Sequence, residues 1–367
     1  MKAKTPNFYR PELDVLRLFA FLLVFFLHGW DEIPSRIPES IHMAGRFGVC
    51  VFFLLSAYLI TELLEREESS TNDIRLGAFY VRRCLRIWPL YFAILGAEVV
   101  TRIIRPTEPG YKMRLLANLL LMGNWYVAAH GFSIAIASPL WSISVEEQFY
   151  VLWPSVRKFF KRKGAQLFSI VMFVVGYIAL FWLGYTHASE RAVWVNSFVL
   201  FQYFCSGCML SLLLRGRAPQ WNIFTRLLVV TAGLVLFAAA SYLMFVPSNT
   251  NPSAIMSGYL LVNIGSCVVF LGFLGASETF SKARPLIYLG KISYGLYVFH
   301  WIVLLICFKI FTHLRGRFHV PEAVLTAARL SSALAFTILI AALSYRYFEA
   351  PVLRFKRLFE VVHTREV

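Results

Sequence analysis

Arg10-Pro11-Glu12-Leu13-Asp14-Val15-Leu16-Arg17 runs directly into LFAFLLVFFLHGW, residues 18–30, and the reading of this stretch decides the fold. From about Asp14 to Trp30 the chain is apolar over a length that suits one helical crossing of a bilayer, which takes roughly 20 residues. The run resembles a secretory leader in hydropathy. No small-residue cleavage site follows it, however, and Asp31 and Glu32 come next, so it is expected to persist as a first membrane helix. Nine further runs follow, near residues 46–64, 85–104, 141–156, 165–185, 193–214, 226–246, 254–276, 286–311 and 323–345. Ten crossings consume nearly all of the 367 residues. The expected fold is therefore all-α: a polytopic integral membrane protein in which residues 1–367 form a single transmembrane domain with no separate soluble one. Another run, 115–127, is short and broken by Gly123 and Asn124, and reads as a re-entrant or interfacial helix.

Composition agrees. Hydrophobic residues make up 58% of the chain, aromatic residues 16% and charged residues only 15%, whereas a soluble domain carries about a quarter charged. The mean hydropathy is +0.63. A net charge of +16 would fit a nucleic-acid binder if the basic residues formed one patch, but they fall into short clusters between apolar runs. That is the distribution of orientation signals. Ten crossings put both termini on one side, and with that side inside, 25 of the 36 Lys and Arg lie in inner segments and 11 outside. The bias places both termini in the cytoplasm and the chain in the plasma (inner) membrane. Arg102, Arg105, Lys112 and Arg114, around the short helix, run against it. The six cysteines lie mostly inside apolar runs, so no disulfide framework is expected. No internal repeat of the kind many transporters carry is found.

Ionisable residues inside apolar runs are the candidates for function, because burying one without a partner costs a few kcal/mol. Arg17 and His28 are eleven positions apart, about three helical turns, and so share a face of the first helix. They either point into one interior groove or mark the two interfaces, Arg17 by snorkelling to headgroups. Arg82, Arg83 and Arg86 follow at the inner end of the third run. Arg82 and Arg86 are one turn apart and Arg83 lies about 100° around. Such a cluster can grip phosphates through bidentate hydrogen bonds or can be an ordinary inner-face charge cluster. In Trp141-Ser142-Ile143-Ser144-Val145-Glu146-Glu147-Gln148-Phe149-Tyr150, Ser144 and Glu147 have capping-box spacing, which gives Glu147 a structural task and leaves Glu146 free to pair with His28. The alternative is a second helix-dipole carboxylate. Ser293, Tyr297 and His300 fall at i, i+4 and i+7 and form one polar stripe, which would line the same cavity, with His300 as a packing residue and not the catalyst.

Other motifs are absent or weak. Cys205-Ser206-Gly207-Cys208 sits inside an apolar run, where small residues serve close helix packing more often than redox chemistry. The chain has no G-x-S-x-G elbow, no H-E-x-x-H and no Walker glycine loop, and no metal site is expected.

The ordered set of motifs resembles the membrane-bound acyltransferase family 3. It comprises Arg10 to Arg17 with the apolar stretch ending at His28, Gly48 to Ile60, Tyr80 to Tyr91, Trp141 to Tyr150, Ile292 to Trp301, and Ser344 to Pro351. The resemblance implies about ten membrane helices and transfer of an acyl group, often acetyl, from cytoplasmic acyl-CoA to a hydroxyl of a glycan, a lipid-linked sugar or a small molecule. It implies His28 as the catalytic histidine with Arg17 and Glu146 beside it, and Arg82, Arg83 and Arg86 as the acyl-CoA-binding motif. The acyl-CoA is a co-substrate, with no bound cofactor, and a saccharide of the cell envelope is the expected acceptor. Some members continue into an esterase-like domain. This chain stops at Val367, so acceptor acylation is expected within the membrane module. His28 would act either as general base or as a covalent acyl carrier. Without the resemblance, the same buried charges suit a transporter or flippase of an anionic or lipid-linked substrate equally well.

Overall fold

The computed structural model describes residues 8–29, 39–104, 110–245, 252–315 and 321–362. Trp30, Asp31, Glu32 and Arg105 lie outside them. Every regular element among the described residues is helical. The order is α1 (Pro11–Gly29), α2 (Glu39–Ala44), α3 (Gly48–Thr71), α4 (Leu76–Ile104), α5 (Tyr111–Leu119), α6 (Gly123–His130), α7 (Leu140–Tyr185), α8 (Glu190–Trp194), α9 (Ser197–Leu214), α10 (Ile223–Phe245), α11 (Pro252–Phe273), α12 (Ser277–Phe280), α13 (Arg284–Lys291), α14 (Ser293–Arg315), α15 (Glu322–Ser344) and α16 (Ala350–Arg354). A π-helical turn, Tyr345–Glu349, joins the last two, and a 3₁₀ turn, Phe355–Phe359, follows.

Eight helices among the described residues are long and apolar enough to cross a membrane, so the chain is an integral membrane protein, though by this measure two short of the ten runs counted in the sequence. The shortfall has two physical sources. Runs 141–156 and 165–185 are merged in α7, whose 46 residues would extend about 69 Å if straight, more than twice a hydrocarbon core. Lys161, at φ 54° and ψ −165°, breaks the helix between them. The other source is α1, which is apolar enough but carries three charges, Glu12, Asp14 and Arg17, within a single span.

α1 is the hub of the bundle. One face, with Leu13, Leu16, Ala20 and Val24, belongs to a large cluster shared with α3, α7 and α9; the other, with Leu18, Phe21 and Phe25, packs against α14 and α15. Its ends are pinned by polar contacts. Glu12 accepts hydrogen bonds from the Gly275 amide (3.1 Å) and the Ser277 hydroxyl (2.5 Å), and Arg10 donates to the Gly216 carbonyl (2.7 Å). At the other end Arg329 of α15 donates to the Gly29 carbonyl (3.3 Å), satisfying one of the acceptors that a helix C-terminus leaves open. Close packing elsewhere uses small residues: a Cβ at Gly207 would overlap the Leu54 carbonyl, so the Cys205–Cys208 segment lets α9 approach α3. All six cysteines are free thiols.

The run 115–127 is a pair of helices too short to span, α5 and α6, separated at Leu121 by a left-handed residue (φ 57°). Backbone exposed by that break is paired inside the protein, as irregular structure at membrane depth requires. Gln148 donates to the Leu121 carbonyl (2.8 Å) and to Asn124 Oδ1 (3.0 Å), and Asn124 donates to the Val195 carbonyl (3.0 Å) and Ser197 Oγ (2.8 Å). Arg114, which ran against the charge bias, is buried and ion-paired with Glu98 at 2.5 Å. Glu98 also accepts the Ala137 amide at 2.9 Å. The arginine is a clamp between α4 and α5 and carries no orientation signal.

The Arg157–Lys163 cluster is likewise neutralised in part. Arg157 bridges Glu65 (3.0 Å) and Glu68 (2.6 Å), Lys161 reaches Glu68 (3.3 Å), and Lys158 pairs with Asp73 (3.0 Å), tying the break in α7 to the end of α3.

Arg114→Met leaves Glu98 buried beside a single amide, and its expected cost is about 3–5 kcal/mol. Unfolding midpoints of the purified protein in detergent check this. Glu98→Leu/Arg114→Met is expected to recover most of the loss, and a single variant that melts with the wild type would show the clamp to be dispensable.

Candidate active site

Helices α1, α3, α4, α7 and α14 enclose a cavity of about 200 Å³. It runs from the end of the bundle where α1 begins toward the middle. Arg82, Arg83 and Arg86 line its mouth together with Lys356 from the 3₁₀ turn. Although Arg83 is rotated from the other two around α4, all three reach the cavity. Each is held differently. Arg82 bonds Glu67 at 2.9 Å and the Phe359 carbonyl at 2.6 Å, while the second Glu67 oxygen accepts the Arg75 amide at 2.9 Å. Arg83 lies between two rings, 5.5 Å from the Phe79 centroid and 5.1 Å from that of Tyr150. Lys356 pairs with Glu360 at 3.0 Å. The mouth thus offers several planar, bidentate donors, the geometry that suits phosphate.

Deeper in, Arg17 forms an ion pair with Asp14 one turn before it, and Asp14 also accepts a hydrogen bond from Tyr9 (3.1 Å). Facing them across the cavity wall is Glu146, which accepts hydrogen bonds from Ser56 (2.5 Å) and from Tyr150. Tyr150 also meets Ser56, so the three side chains form a closed triangle linking α3 to α7. At the inner end Ser142 and the Tyr297 hydroxyl are 2.7 Å apart and close the floor; Ser293 lines the wall nearby.

Three expectations are corrected by this geometry. Ser144 is not a helix cap: α7 begins at Leu140, and Ser144 lies inside it, donating to the Leu140 carbonyl (3.3 Å) and accepting from the Gly123 amide (3.2 Å). Pro139-Leu140 starts the helix a turn earlier because proline fixes a helical φ there. Glu147 therefore has no capping task; it is buried and takes the Trp88 indole N–H at 3.2 Å. Glu146 does not pair with His28, because α7 turns it toward Ser56 and the arginine side of the cavity. His300 does not line the cavity, since it lies one turn beyond Tyr297 and is wholly buried.

His28 lies beyond the cavity floor, beside His300. The His28 Nδ1 and His300 Nε2 atoms are 3.0 Å apart, and His300 Nδ1 is 2.5 Å from the Tyr297 carbonyl. Trp301 packs its edge against the His28 ring at 5.4 Å. Arg17 thus lies on the cavity wall, and His28 does not line the cavity but sits beyond its floor.

Sequence reasoning missed several members. Ser56, Ser142, Asp14 and Lys356 all line the cavity. Ser56 was detectable as a lone hydroxyl in an apolar run, and Asp14 as an acid one turn before Arg17; Lys356 had no signal, because its place depends on how the 3₁₀ turn packs against α4.

The chain matches a family model described as an acyltransferase domain from residue 10 to residue 346, and it belongs to that family. It is 26% identical over 361 residues to the O-acetyltransferase OatA of Staphylococcus aureus, covering 94% of this chain and 57% of that protein. To the peptidoglycan O-acetyltransferase OatA of Listeria monocytogenes it is 25% identical over 363 residues, with 94% and 56% covered. The chain spans a little over half the length of these relatives. No solved structure matches it.

Arg82 and Arg83 are expected to separate in stability. Arg82→Ala leaves Glu67 buried with one amide for company and should cost about 2–3 kcal/mol, whereas Arg83→Ala removes two ring contacts and should cost under about 1 kcal/mol. Melting of the two variants without ligand tests the difference; equal midpoints would mean the Arg82–Glu67 pair contributes nothing to the fold.

Proposed function

We propose that this protein transfers an acyl group, acetyl in the first instance, from acyl-CoA to a hydroxyl of a saccharide acceptor at the membrane. The observation that carries the reading is the cavity itself: an arginine-lined mouth at one end, and at the other a floor of Ser142 and Tyr297, with His28 joined to Tyr297 through His300. A nucleotide phosphate donor entering at the mouth would present its far end to the middle of the bundle. The basic residues concentrated at that end favour a cytoplasmic mouth, both termini inside, and the plasma membrane as location. O-Acetyl transfer and a saccharide acceptor are supported by the names of the relatives, one of which acts on peptidoglycan.

In this mechanism Arg82, Arg83 and Arg86 bind the donor phosphates, and the thioester arm passes Arg17 and Glu146 toward the floor. The acceptor hydroxyl approaches His28 from the opposite side. His28 takes the hydroxyl proton as the oxygen forms a bond to the thioester carbonyl carbon; the carbon–sulfur bond then breaks, and the proton passes to the departing thiolate. The products are the ester and free CoA. A positioned general base contributes on the order of 10²–10⁴-fold. The Ser56–Glu146–Tyr150 triangle fixes the Glu146 side chain on the wall of the cavity that the arginines also line.

Binding of acetyl-CoA to the purified protein in detergent tests this. Saturable binding displaced by CoA and not by ATP is expected, weakened at least about tenfold in Arg83→Ala/Arg86→Ala, since each charge-assisted contact is worth about 1.5–3 kcal/mol. His28→Ala should bind the donor as the wild type does and transfer nothing. Absence of binding in a folded preparation would overturn the proposal in favour of a transporter. Labelled acetyl retained on the protein without acceptor would replace direct transfer by an acyl-histidine route.

A further inference from the structure

We infer that His300 is a positioning residue that fixes the tautomer of His28, so that His28 Nε2 is the atom that meets the substrate. The inference rests on the reading of His28 as the reacting histidine. It follows from what each atom in the chain of contacts can accept. The Tyr297 carbonyl oxygen can only accept a hydrogen bond, so His300 Nδ1, 2.5 Å away, carries the hydrogen. A neutral imidazole has a single N–H, which leaves His300 Nε2 as an acceptor. His28 Nδ1, 3.0 Å from that acceptor, must then be the donor, and His28 Nε2 is left with its lone pair.

The ring geometry supports a hydrogen bond over a mere stack. The two centroids are 5.2 Å apart, against 3.0 Å between the nitrogens, and the planes differ by only 26°. The bonded nitrogens therefore lie between the rings, which meet edge to edge. His300 has no freedom to do otherwise: it is wholly buried, with Phe21 edge-on at 6.1 Å and its own Nδ1 committed one turn back on α14. Tyr297 serves both sides of the floor. Its hydroxyl meets Ser142 at the end of the cavity, and its backbone carbonyl sets the hydrogen on His300.

In the transfer step His28 Nε2 takes the acceptor hydroxyl proton, and the imidazolium so formed keeps its Nδ1–H on His300. The proton on Nε2 then leaves with the CoA thiolate, and both histidines return to their starting tautomers. No proton passes through His300. Its task matches that of the carboxylate behind the histidine of a serine hydrolase triad, orientation and tautomer choice, but with a neutral acceptor.

Nitrogen-15 NMR of histidine-labelled protein in detergent reads the tautomer directly, with the His28 signals identified by their loss in His28→Gln. In the wild type His28 is expected to show a protonated Nδ1 and an unprotonated Nε2. His300→Phe keeps a buried ring but offers no acceptor; it should move the hydrogen to Nε2 and lower kcat by about 10²–10⁴-fold with the donor KM changed less than about twofold. His300→Gln, whose amide oxygen can accept the Nδ1–H, should restore the wild-type pattern and most of the rate. A wild-type His28 protonated at Nε2, or a His300→Phe variant with unchanged pattern and rate, overturns the inference. The spectrum decides the pairing whether or not transfer is detected: the expected pattern in a protein that transfers nothing would sink the enzymatic reading and leave the tautomer assignment standing.

Discussion

Everything in this bundle is arranged around the requirement that α1 carry ionisable groups through a low-dielectric slab. Glu12, Asp14, Arg17 and His28 lie on one 19-residue helix, and a helix with such a load is stable in a membrane only if the protein supplies partners for each. It supplies most of them from distant parts of the chain, while Asp14 and Arg17 answer one another within the helix. Glu12 is met by the turn after α11, Arg17 by Asp14, His28 by α14, and the open carbonyl at the helix end by α15. The result is a central helix bound to elements more than 250 residues away in sequence. Removing the charges would leave a more easily inserted helix with nothing to fix its rotation or depth. The polar contacts therefore specify register where apolar packing alone, lipid against leucine, would be indifferent.

The same logic explains which parts of the architecture could be read in advance. Apolar runs report their own length, so the all-helical membrane fold and the shortness of the 115–127 segment were legible, but its break falls at Leu121, and Gly123 and Asn124, expected to interrupt it, open α6 instead. The Lys161 break lay between two separate runs. Charge was less faithful. A lysine or arginine counts as an orientation signal only if it faces headgroups, and Arg114 and Arg157 do not; each is buried against a carboxylate that the sequence places far away, Glu98 or the Glu65–Glu68 pair. Local spacing could not reveal such pairings, since they depend on which helices become neighbours.

At the site, the residue identities were more legible than their partnerships. Arg17, Glu146 and the three arginines of α4 do line one cavity, and Ser293 and Tyr297 join them. The misassignments share a cause. Ser144 and Glu147 match a capping box in spacing, but the proline at 139 had already started the helix, so the motif fell one turn too deep to cap anything. Once the helix is phased from Leu140, Glu146 turns toward Ser56 and away from His28, and the place expected for a carboxylate is taken by His300.

That substitution of a neutral partner for a charged one has a physical consequence. A carboxylate against His28 would stabilise the imidazolium and hold a net charge at the centre of the bundle throughout the cycle. An imidazole partner orients the ring through one hydrogen bond and adds no charge. The protein keeps its carboxylates, Asp14 and Glu146, on the cavity side of the floor, where guanidinium groups can answer them, and leaves the histidine pair in an apolar setting of Phe21 and Trp301. In the proposed reaction, these carboxylates and guanidinium groups occupy the half of the site that would receive a phosphate-bearing donor. In that reaction, proton transfer would fall to the histidine half, which need only be dry and correctly oriented.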